Sequence, residues 1–134
     1  MTSIVGTGID VAEVARVRAA LEDPQTGARF KARVFTAGEQ KYCEARGVGR
    51  YESYAARFAA KEAMMKALGY GWGRHIGWLD IEVARGSDGR PTVRLHGKGA
   101  ASAASAGVSR VHVALTHTRE IAIAQVVVER DVLV

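Results

Sequence analysis

The segment 53–68, SYAARFAAKEAMMKAL, constrains the fold most, because its pattern is that of one long helix. Six of its sixteen residues are alanine, the strongest helix former, and it contains neither glycine nor proline. Ser53 can cap its first turn, and Gly69 can end it in a left-handed conformation. A helix in water is stabilised chiefly by packing, so the rest of the chain must supply a surface for it.

Short apolar or alternating segments predict strands that provide this surface, at 3–9, 76–85, 91–95, 110–116 and 121–129. The last two are joined by residues 117–120, which predicts a hairpin. We therefore predict an α+β fold in which an antiparallel sheet packs against one long helix. At 134 residues a single domain, 1–134, is expected.

Shorter helices are predicted on either side of the long one. The spacing of Val11, Val14, Val17 and Leu21 indicates a helix over 11–22, which Asp23-Pro24 ends. Thr36, followed three residues later by Glu39, is a capping box and predicts a helix from residue 37 to about 46. Two weaker segments, 29–35 and 99–106, predict a helical turn and a small helix.

Charge and composition exclude several classes of protein. The net charge is +5, and residues 14–50 hold eight basic against four acidic side chains, so this segment carries +4 of it. Such a surface favours an acidic partner: nucleic acid, an acidic protein or a phosphorylated small molecule. One cysteine cannot form an intrachain disulfide, and no apolar run is long enough for a membrane span. Asp10 and Glu13 interrupt the region where a signal peptide needs an apolar core, so we expect a cytoplasmic protein without membrane insertion.

The hydrophobic fraction, 48%, overstates the core, because 23 of the residues are alanine and only 9 are aromatic. A core with so few large side chains would be helped by burial against another subunit.

Two acidic residues stand where a site could form, and each has two interpretations. Asp10 ends the first predicted strand, where it could line a site or simply cap the helix 11–22. Glu62 lies in a largely apolar stripe of the long helix, and it could form an i, i+4 ion pair with Lys66. Alternatively, Glu62 and a second carboxylate hold a divalent cation while Lys66, one turn on, binds phosphate.

Other residues carry weaker signals. The loop from Gly69 to Arg74 could bind phosphate. Phosphate-binding glycine loops, however, precede a helix, whereas this loop follows one. His117 lies at a hairpin tip, where a histidine is more often simply exposed. Cys43 is expected to be a small packed residue, and Trp72 and Trp78 are expected in the core or at an interface.

Two segments together resemble the signatures of the holo-(acyl-carrier-protein) synthase family, the short, homotrimeric class of 4′-phosphopantetheinyl transferases. They are 8–16, GIDVAEVAR, and 57–69, RFAAKEAMMKALG. Further segments agree in order and spacing along nearly the whole chain: Arg29-Phe30 with 33–36 and Glu39, 71–74, 80–82, and 116–118 before 124–127.

The resemblance implies a role for particular residues of this chain. It implies that Asp10 and Glu62 bind Mg²⁺ and that Lys66 binds phosphate, these three forming the catalytic group. It implies contacts with the substrate coenzyme A by Arg57, Lys66, Gly71, Gly73, Arg74, His117 and Thr118. It implies that the acyl carrier protein docks on Arg16, Arg29, Phe30 and Arg33. It also implies a homotrimer whose active sites lie between subunits.

The implied reaction is attack by a serine hydroxyl of the apo carrier protein on the β-phosphate of coenzyme A, which releases adenosine 3′,5′-bisphosphate. Such transfers depend on positioning and on charge stabilisation. The proton acceptor stays open between Glu62 and a magnesium-bound water. Two positions depart from the family pattern: Ala12 is smaller than usual, and Ala114 replaces a serine, which puts in doubt a polar contact near His117.

Two alternatives remain at this stage. A basic binding module for nucleic acid would use the +5 charge, but it leaves Glu62 unexplained, and we predict no nucleic-acid partner. A member of the family that has lost its activity is also compatible with the sequence.

Overall fold

The structure, a computed structural model, describes residues 1–71 and 73–132, and it is built around one central helix. In chain order the elements are β1 (Thr2–Glu13), α1 (Val14–Glu22), α2 (Gly27–Val34), α3 (Ala37–Glu44), α4 (Arg50–Leu68), β2 (Ile81–Arg85), β3 (Pro91–Leu95), α5 (Gly97–Ser105), β4 (Arg110–His117) and β5 (Ile121–Asp131). The predicted α+β class is confirmed, with the strands divided between two antiparallel sheets.

The long helix α4 packs on one face of a three-stranded sheet of order β1-β5-β4, and a hairpin of β2 and β3 forms the second sheet. The contact uses small side chains on both sides. Every second residue of β5 from Ala122 to Val128 is fully buried, as are Ala55, Ala59 and Ala63 of α4. Because alanines leave the backbones close together, the many alanines of the sequence serve close packing of helix on sheet.

The first strand is longer than predicted, and this corrects the interpretation of Asp10. β1 continues through Asp10 to Glu13, paired with β5 as far as Ile121, so the following helix begins at Val14 and not at residue 11. Asp10 is therefore not a helix cap; it lies within the strand, opposite Ala124. The ladder with β5 outweighs the local helical spacing, because each strand residue gains a cross-strand partner more than a hundred positions away.

Several helix boundaries follow local signals. Asp23 follows the last residue of α1, and Gly69, with a φ of +78°, ends α4 as predicted. The capping box is present: the Thr36 hydroxyl accepts from the Glu39 amide at 3.2 Å, and Glu39 Oε1 accepts from the Thr36 amide at 2.9 Å.

Other boundaries were predicted wrongly. Helix α4 begins at Arg50, directly after a 3₁₀ turn over Gly47–Gly49, so Ser53 lies inside it and caps nothing. The strand predicted from residue 76 begins only at Ile81. Residues Trp78–Asp80 instead form a 3₁₀ turn, stabilised where the Asp80 carboxylate accepts from the Gly77 amide at 2.7 Å. The remaining helices differ by two residues or fewer at each end: α2 covers Gly27–Val34, α3 ends at Glu44, and α5 covers Gly97–Ser105.

The outer face of the three-stranded sheet carries exposed apolar side chains among polar ones such as Thr7 and Gln125. Ile4, Ile9 and Val11 of β1 are more than half exposed on it, and Ile123 of β5 lies opposite Val11. Within the described residues, no helix is both long and apolar enough to cross a membrane.

Candidate active site

Two glycines bring strand β1 into backbone contact with helix α4. A Cβ added at Gly8 would lie 1.9 Å from the carbonyl oxygen of Ala63, and one at Gly6 would lie 2.0 Å from that of Ala67. No residue with a side chain fits at either position. This close crossing places Asp10, two residues after Gly8, against the last turns of α4.

Asp10 and Lys66 form an ion pair across this crossing. Lys66 Nζ donates to Asp10 Oδ1 at 2.8 Å and to the carbonyl oxygen of Ile9 at 3.1 Å. The hydrogen bond with Asp10 raises the pKa of Lys66. Among the ion pairs of the described residues, none joins Lys66 to Glu62, so the structure does not support the i, i+4 pair, one of the two interpretations of Glu62. The ammonium prefers Asp10, whose side chain is only 12% exposed and therefore needs a positive partner.

Glu62 faces Asp10 as a second carboxylate. Burial raises the pKa of Glu62, and the negative charge of Asp10 raises it further, while Lys66 and Arg16 only partly oppose these effects. Two carboxylates held together despite burial and mutual repulsion suit a hard divalent cation. Such a cation accepts one or two carboxylates and takes its other ligands from water or phosphate. The described part of the chain holds no cluster of three or more acidic, histidine or cysteine side chains that could bind a metal, so an ion at these two carboxylates would take its other ligands from water or phosphate.

Glu62 also separates two pockets. The first, of about 460 Å³, is lined by Lys66, Gly69, Tyr70, Gly71 and the ring of Trp78. The second, of about 320 Å³, lies on the other side of Glu62. Its remaining walls comprise Asp10, Val11, Ala12, Glu13, Arg16, Val17, Ala20, Phe30 and Phe58. A group bound in either pocket would reach the carboxylate of Glu62.

A different set of the predicted residues lines a separate hollow, which we call the basic cleft. It measures about 200 Å³ and shares no lining residue with the two pockets at Glu62. Its walls are Tyr42, Arg46, Ser53, Ala56, Arg57, Arg85, Pro91, Leu115 and His117. Arg57 is only 5% exposed, and its buried Nε has no hydrogen-bond partner in the described structure. Arg57 and His117 thus share a site, but within one chain it is not the site of Glu62.

The remaining predicted residues have varied positions. Arg29 and Arg74 are exposed, and Gly73 and Arg33 line one hollow beside Trp78. The Thr118 hydroxyl accepts from the amides of Glu120 and Ile121, so in this chain it closes the hairpin turn.

Three expectations about single residues can be compared with the structure. Ala114 lies on the opposite face of β4 from His117, because side chains alternate along a strand. Cys43 is packed as predicted, and burial raises the pKa of its thiol to about 12. Trp78 packs on Phe58, whereas Trp72 lies outside the described residues.

The sequence analysis missed a buried ion pair beneath the first pocket. Lys61 Nζ lies 2.7 Å from Glu39 Oε1, and both side chains are fully buried. The ammonium also donates to the carbonyl oxygens of Trp78 and Ile81, while Glu39 Oε2 accepts from the Val83 amide at 2.9 Å. Burial lowers the pKa of Lys61. Locally, the sequence shows only a lysine within an alanine-rich helix. Because a lysine is ordinarily exposed, this signal does not indicate a buried pair.

Comparisons with known proteins agree over nearly the full chain. The model of the 4′-phosphopantetheinyl transferase superfamily matches residues 6–126. A holo-(acyl-carrier-protein) synthase of Solibacter usitatus is 46% identical over 126 residues, which are 94% of this chain and 98% of the relative.

Two crystal structures of such synthases have the same fold. That from Bacillus anthracis, in complex with CoA (3′,5′-ADP), matches with a TM-score of 0.77 at 35% identity, covering 96% of this chain and 98% of the other. That from Helicobacter pylori, in complex with coenzyme A, matches with a TM-score of 0.78 at 27% identity, covering 91% and 98%.

Proposed function

The chain belongs to the 4′-phosphopantetheinyl transferase superfamily, and from this premise we propose how its residues act. It transfers 4′-phosphopantetheine from coenzyme A to a serine of an apo acyl carrier protein. The serine oxygen forms a bond to the β-phosphorus and its hydroxyl proton passes to Glu62 or to a water. The bond from that phosphorus to the bridging oxygen breaks, and adenosine 3′,5′-bisphosphate leaves. The observation that carries the proposal is the group Asp10, Glu62 and Lys66, which lies where two pockets meet.

In this proposal Asp10 and Glu62 hold Mg²⁺. The fit rests on the donor set: burial raises the pKa of Glu62 and the neighbouring Asp10 carboxylate raises it further, so a bound cation would stabilise both charged carboxylates. When bound, the ion neutralises part of the charge on the diphosphate of coenzyme A. Lys66 supports the same diphosphate: its ammonium has three donor hydrogens, and Asp10 and Ile9 use two of them. The third is free for a phosphate oxygen.

The second pocket is proposed to receive the carrier protein. Arg16 and Phe30 line it together with Glu62, so a serine entering there arrives beside the reacting phosphate. Arg29 and Arg33 extend this surface along α2, which lies in the segment that carries +4 of the net charge. A basic surface around an aromatic side chain suits an acidic helix of a carrier protein.

The basic cleft is proposed to take another phosphate of the same coenzyme A. Besides its diphosphate, coenzyme A carries one phosphate on the ribose, and a dianion suits Arg57 and His117. The glycine loop with Gly71, Gly73 and Arg74, and the hairpin tip with Thr118, complete the proposed coenzyme A contacts.

Because one chain keeps Glu62 and the basic cleft apart, we propose that each active site combines residues of two subunits in a homotrimer. The exposed apolar residues Ile9 and Val11 on the outer face of the sheet, with Ile123 opposite Val11, support this, since such patches mark interaction surfaces. Light scattering should give three times the chain mass. Mixing inactive Glu62→Gln subunits with Arg57→Ala subunits, at a coenzyme A concentration too low for Arg57→Ala alone, should restore activity. A monomer, or no restoration after subunit exchange, would contradict shared sites.

The proposal also includes a single transferase domain over 1–134, a cytoplasmic location and dependence on Mg²⁺. Metal dependence is tested by the rate of transfer to an apo carrier protein, with Mg²⁺ and with a chelator. Asp10→Asn and Glu62→Gln should each lower the rate at least a hundredfold, while Glu52→Gln, the same change in the first turn of α4, should leave it unchanged. Normal rates in Glu62→Gln would refute the metal assignment.

A further inference from the structure

The basic cleft gathers positive charge without a carboxylate among its lining residues. Arg46, Arg57, Arg85 and His117 surround a volume of about 200 Å³, and Arg57 is almost fully buried there. Like charges brought this close repel one another, and a buried cation without an anionic partner is costly. Something other than an acidic side chain must hold these groups in place before a phosphate arrives.

Tyr42 contacts three of these guanidinium groups. The Arg57 guanidinium carbon lies 4.0 Å from the centre of the Tyr42 ring, and those of Arg85 and Arg46 lie at 5.4 and 5.9 Å. In addition, Arg85 Nε donates to the Tyr42 hydroxyl at 2.8 Å, and its terminal nitrogen donates to the carbonyl oxygen of Gly89 at 2.9 Å. The ring therefore offers its negative face to one guanidinium and its hydroxyl to another.

This arrangement extends beyond the segments that carry the family resemblance. Arg57 belongs to one of those segments, whereas Tyr42 lies outside all of them, on the short helix α3. The Nε of Arg57 is buried and without a partner in the described structure, and the Tyr42 ring packs against that guanidinium. An aromatic ring stabilises a cation without neutralising it, so the cleft keeps its positive charge for an anion.

We propose that Tyr42 is a positioning residue that holds Arg57 and Arg85 in place to bind the ribose phosphate of coenzyme A. The assignment rests on the proposed function, since that function puts this phosphate in the basic cleft. Tyr42 acts through the arginines and touches no reacting atom. Its effect should therefore appear in the KM for coenzyme A and not in kcat.

The test compares coenzyme A with dephospho-coenzyme A, which lacks the ribose phosphate. In Tyr42→Leu the KM for coenzyme A should rise about tenfold, while kcat and the KM for dephospho-coenzyme A change less than about twofold. Tyr42→Phe keeps the ring and loses only the hydrogen bond from Arg85, so its KM should rise about threefold. Equal changes for both substrates, or no change for either, would overturn the positioning role.

Tyr51 supplies a matched control. Its ring lies 4.9 and 4.6 Å from the guanidinium carbons of Arg18 and Arg50, and its hydroxyl accepts from Arg50, but it lines none of the sites described. Tyr51→Leu should leave the ratio of the two KM values as in the wild type. If it changes that ratio as much as Tyr42→Leu does, the effect is not specific to the cleft and the proposal is wrong.

A second measurement separates this proposal from the proposed function. If the wild type transfers phosphopantetheine but has equal KM values for the two substrates, the transferase assignment stands and the role of Tyr42 falls. If the wild type transfers nothing, calorimetry with adenosine 3′,5′-bisphosphate and adenosine 5′-monophosphate decides about Tyr42 alone. If Tyr42→Leu binds adenosine 3′,5′-bisphosphate more weakly than the wild type but binds adenosine 5′-monophosphate equally well, the positioning role is supported. Unchanged binding of the bisphosphate overturns it.

Discussion

Replacing Lys61 by methionine should destabilise the fold much more than the same replacement of an exposed lysine. Lys61 and Glu39 are both fully buried, 2.7 Å apart, and Lys61 also binds the carbonyl oxygens of Trp78 and Ile81. Removing one partner of such a pair leaves a buried charge and costs about 3–5 kcal/mol of the free energy of unfolding. For a chain of this size, that corresponds to a fall in Tm of about 10 °C or more.

Urea unfolding followed by tryptophan fluorescence, at one fixed protein concentration, measures this cost. The double variant Glu39→Gln with Lys61→Met should be less destabilised than the sum of the single changes by about 2 kcal/mol, because no charge is then left alone. Lys31→Met is the control, since it removes a half-exposed ion pair with Glu44 and should cost less than about 1 kcal/mol. If Lys61→Met also lowers the free energy of unfolding by less than about 1 kcal/mol, the reasoning is refuted.

Two further predictions concern the placement of the proposed catalytic group. Because burial and the charge of Asp10 raise the folded-state pKa of Glu62, the contribution of Glu62 to the wild-type free energy of unfolding should fall as the pH rises from 4.5, the ordinary pKa of a glutamate, through the raised pKa. Glu62→Gln should lack this fall and, in thermal melts, the stabilisation by Mg²⁺; stabilisation equal to wild type would count against the metal site. Gly8→Ala should cost about 3 kcal/mol or more and displace Asp10, because its Cβ would overlap Ala63, whereas Gly49→Ala should melt normally. A normal Tm for Gly8→Ala would contradict the crossing.

The parts of the fold that could be predicted are those determined by neighbouring residues. The capping box of Thr36 and Glu39, and the left-handed end of α4 at Gly69, each depend on a few consecutive positions. The extension of β1 past Asp10 could not be predicted, because it depends on pairing with Ala124 and its neighbours in β5. A local helical pattern from Val11 onward is overridden once that strand is in place.

In the candidate site, too, only the features that depend on neighbouring residues could be predicted from local patterns. Glu62 and Lys66 lie one turn apart on one helix, so spacing alone placed them together, and the family resemblance added Asp10. The ion pair of Lys66 with Asp10 depends on the crossing at Gly8, which no local pattern announces. The contacts of Tyr42 likewise join α3 to α4 and to β2, whose Arg85 lies 43 positions away in sequence.

The buried pair also links stability to the site. Lys61 anchors the carbonyl of Trp78, and the Trp78 ring stacks on Phe58 at 5.2 Å and lines the pocket beside Glu62. The residue next to Lys61 in α4 is Glu62 itself. One helical turn therefore presents a buried lysine inward and the proposed catalytic carboxylate toward the pockets.

The central claim is that this chain moves phosphopantetheine from coenzyme A to a carrier serine. It is tested most directly by the intact mass of an apo acyl carrier protein after incubation with the protein, coenzyme A and Mg²⁺. The account predicts a gain of one phosphopantetheine per carrier and an equal amount of adenosine 3′,5′-bisphosphate. No gain with any apo carrier protein, or the same gain on a carrier whose acceptor serine is replaced by alanine, would contradict it.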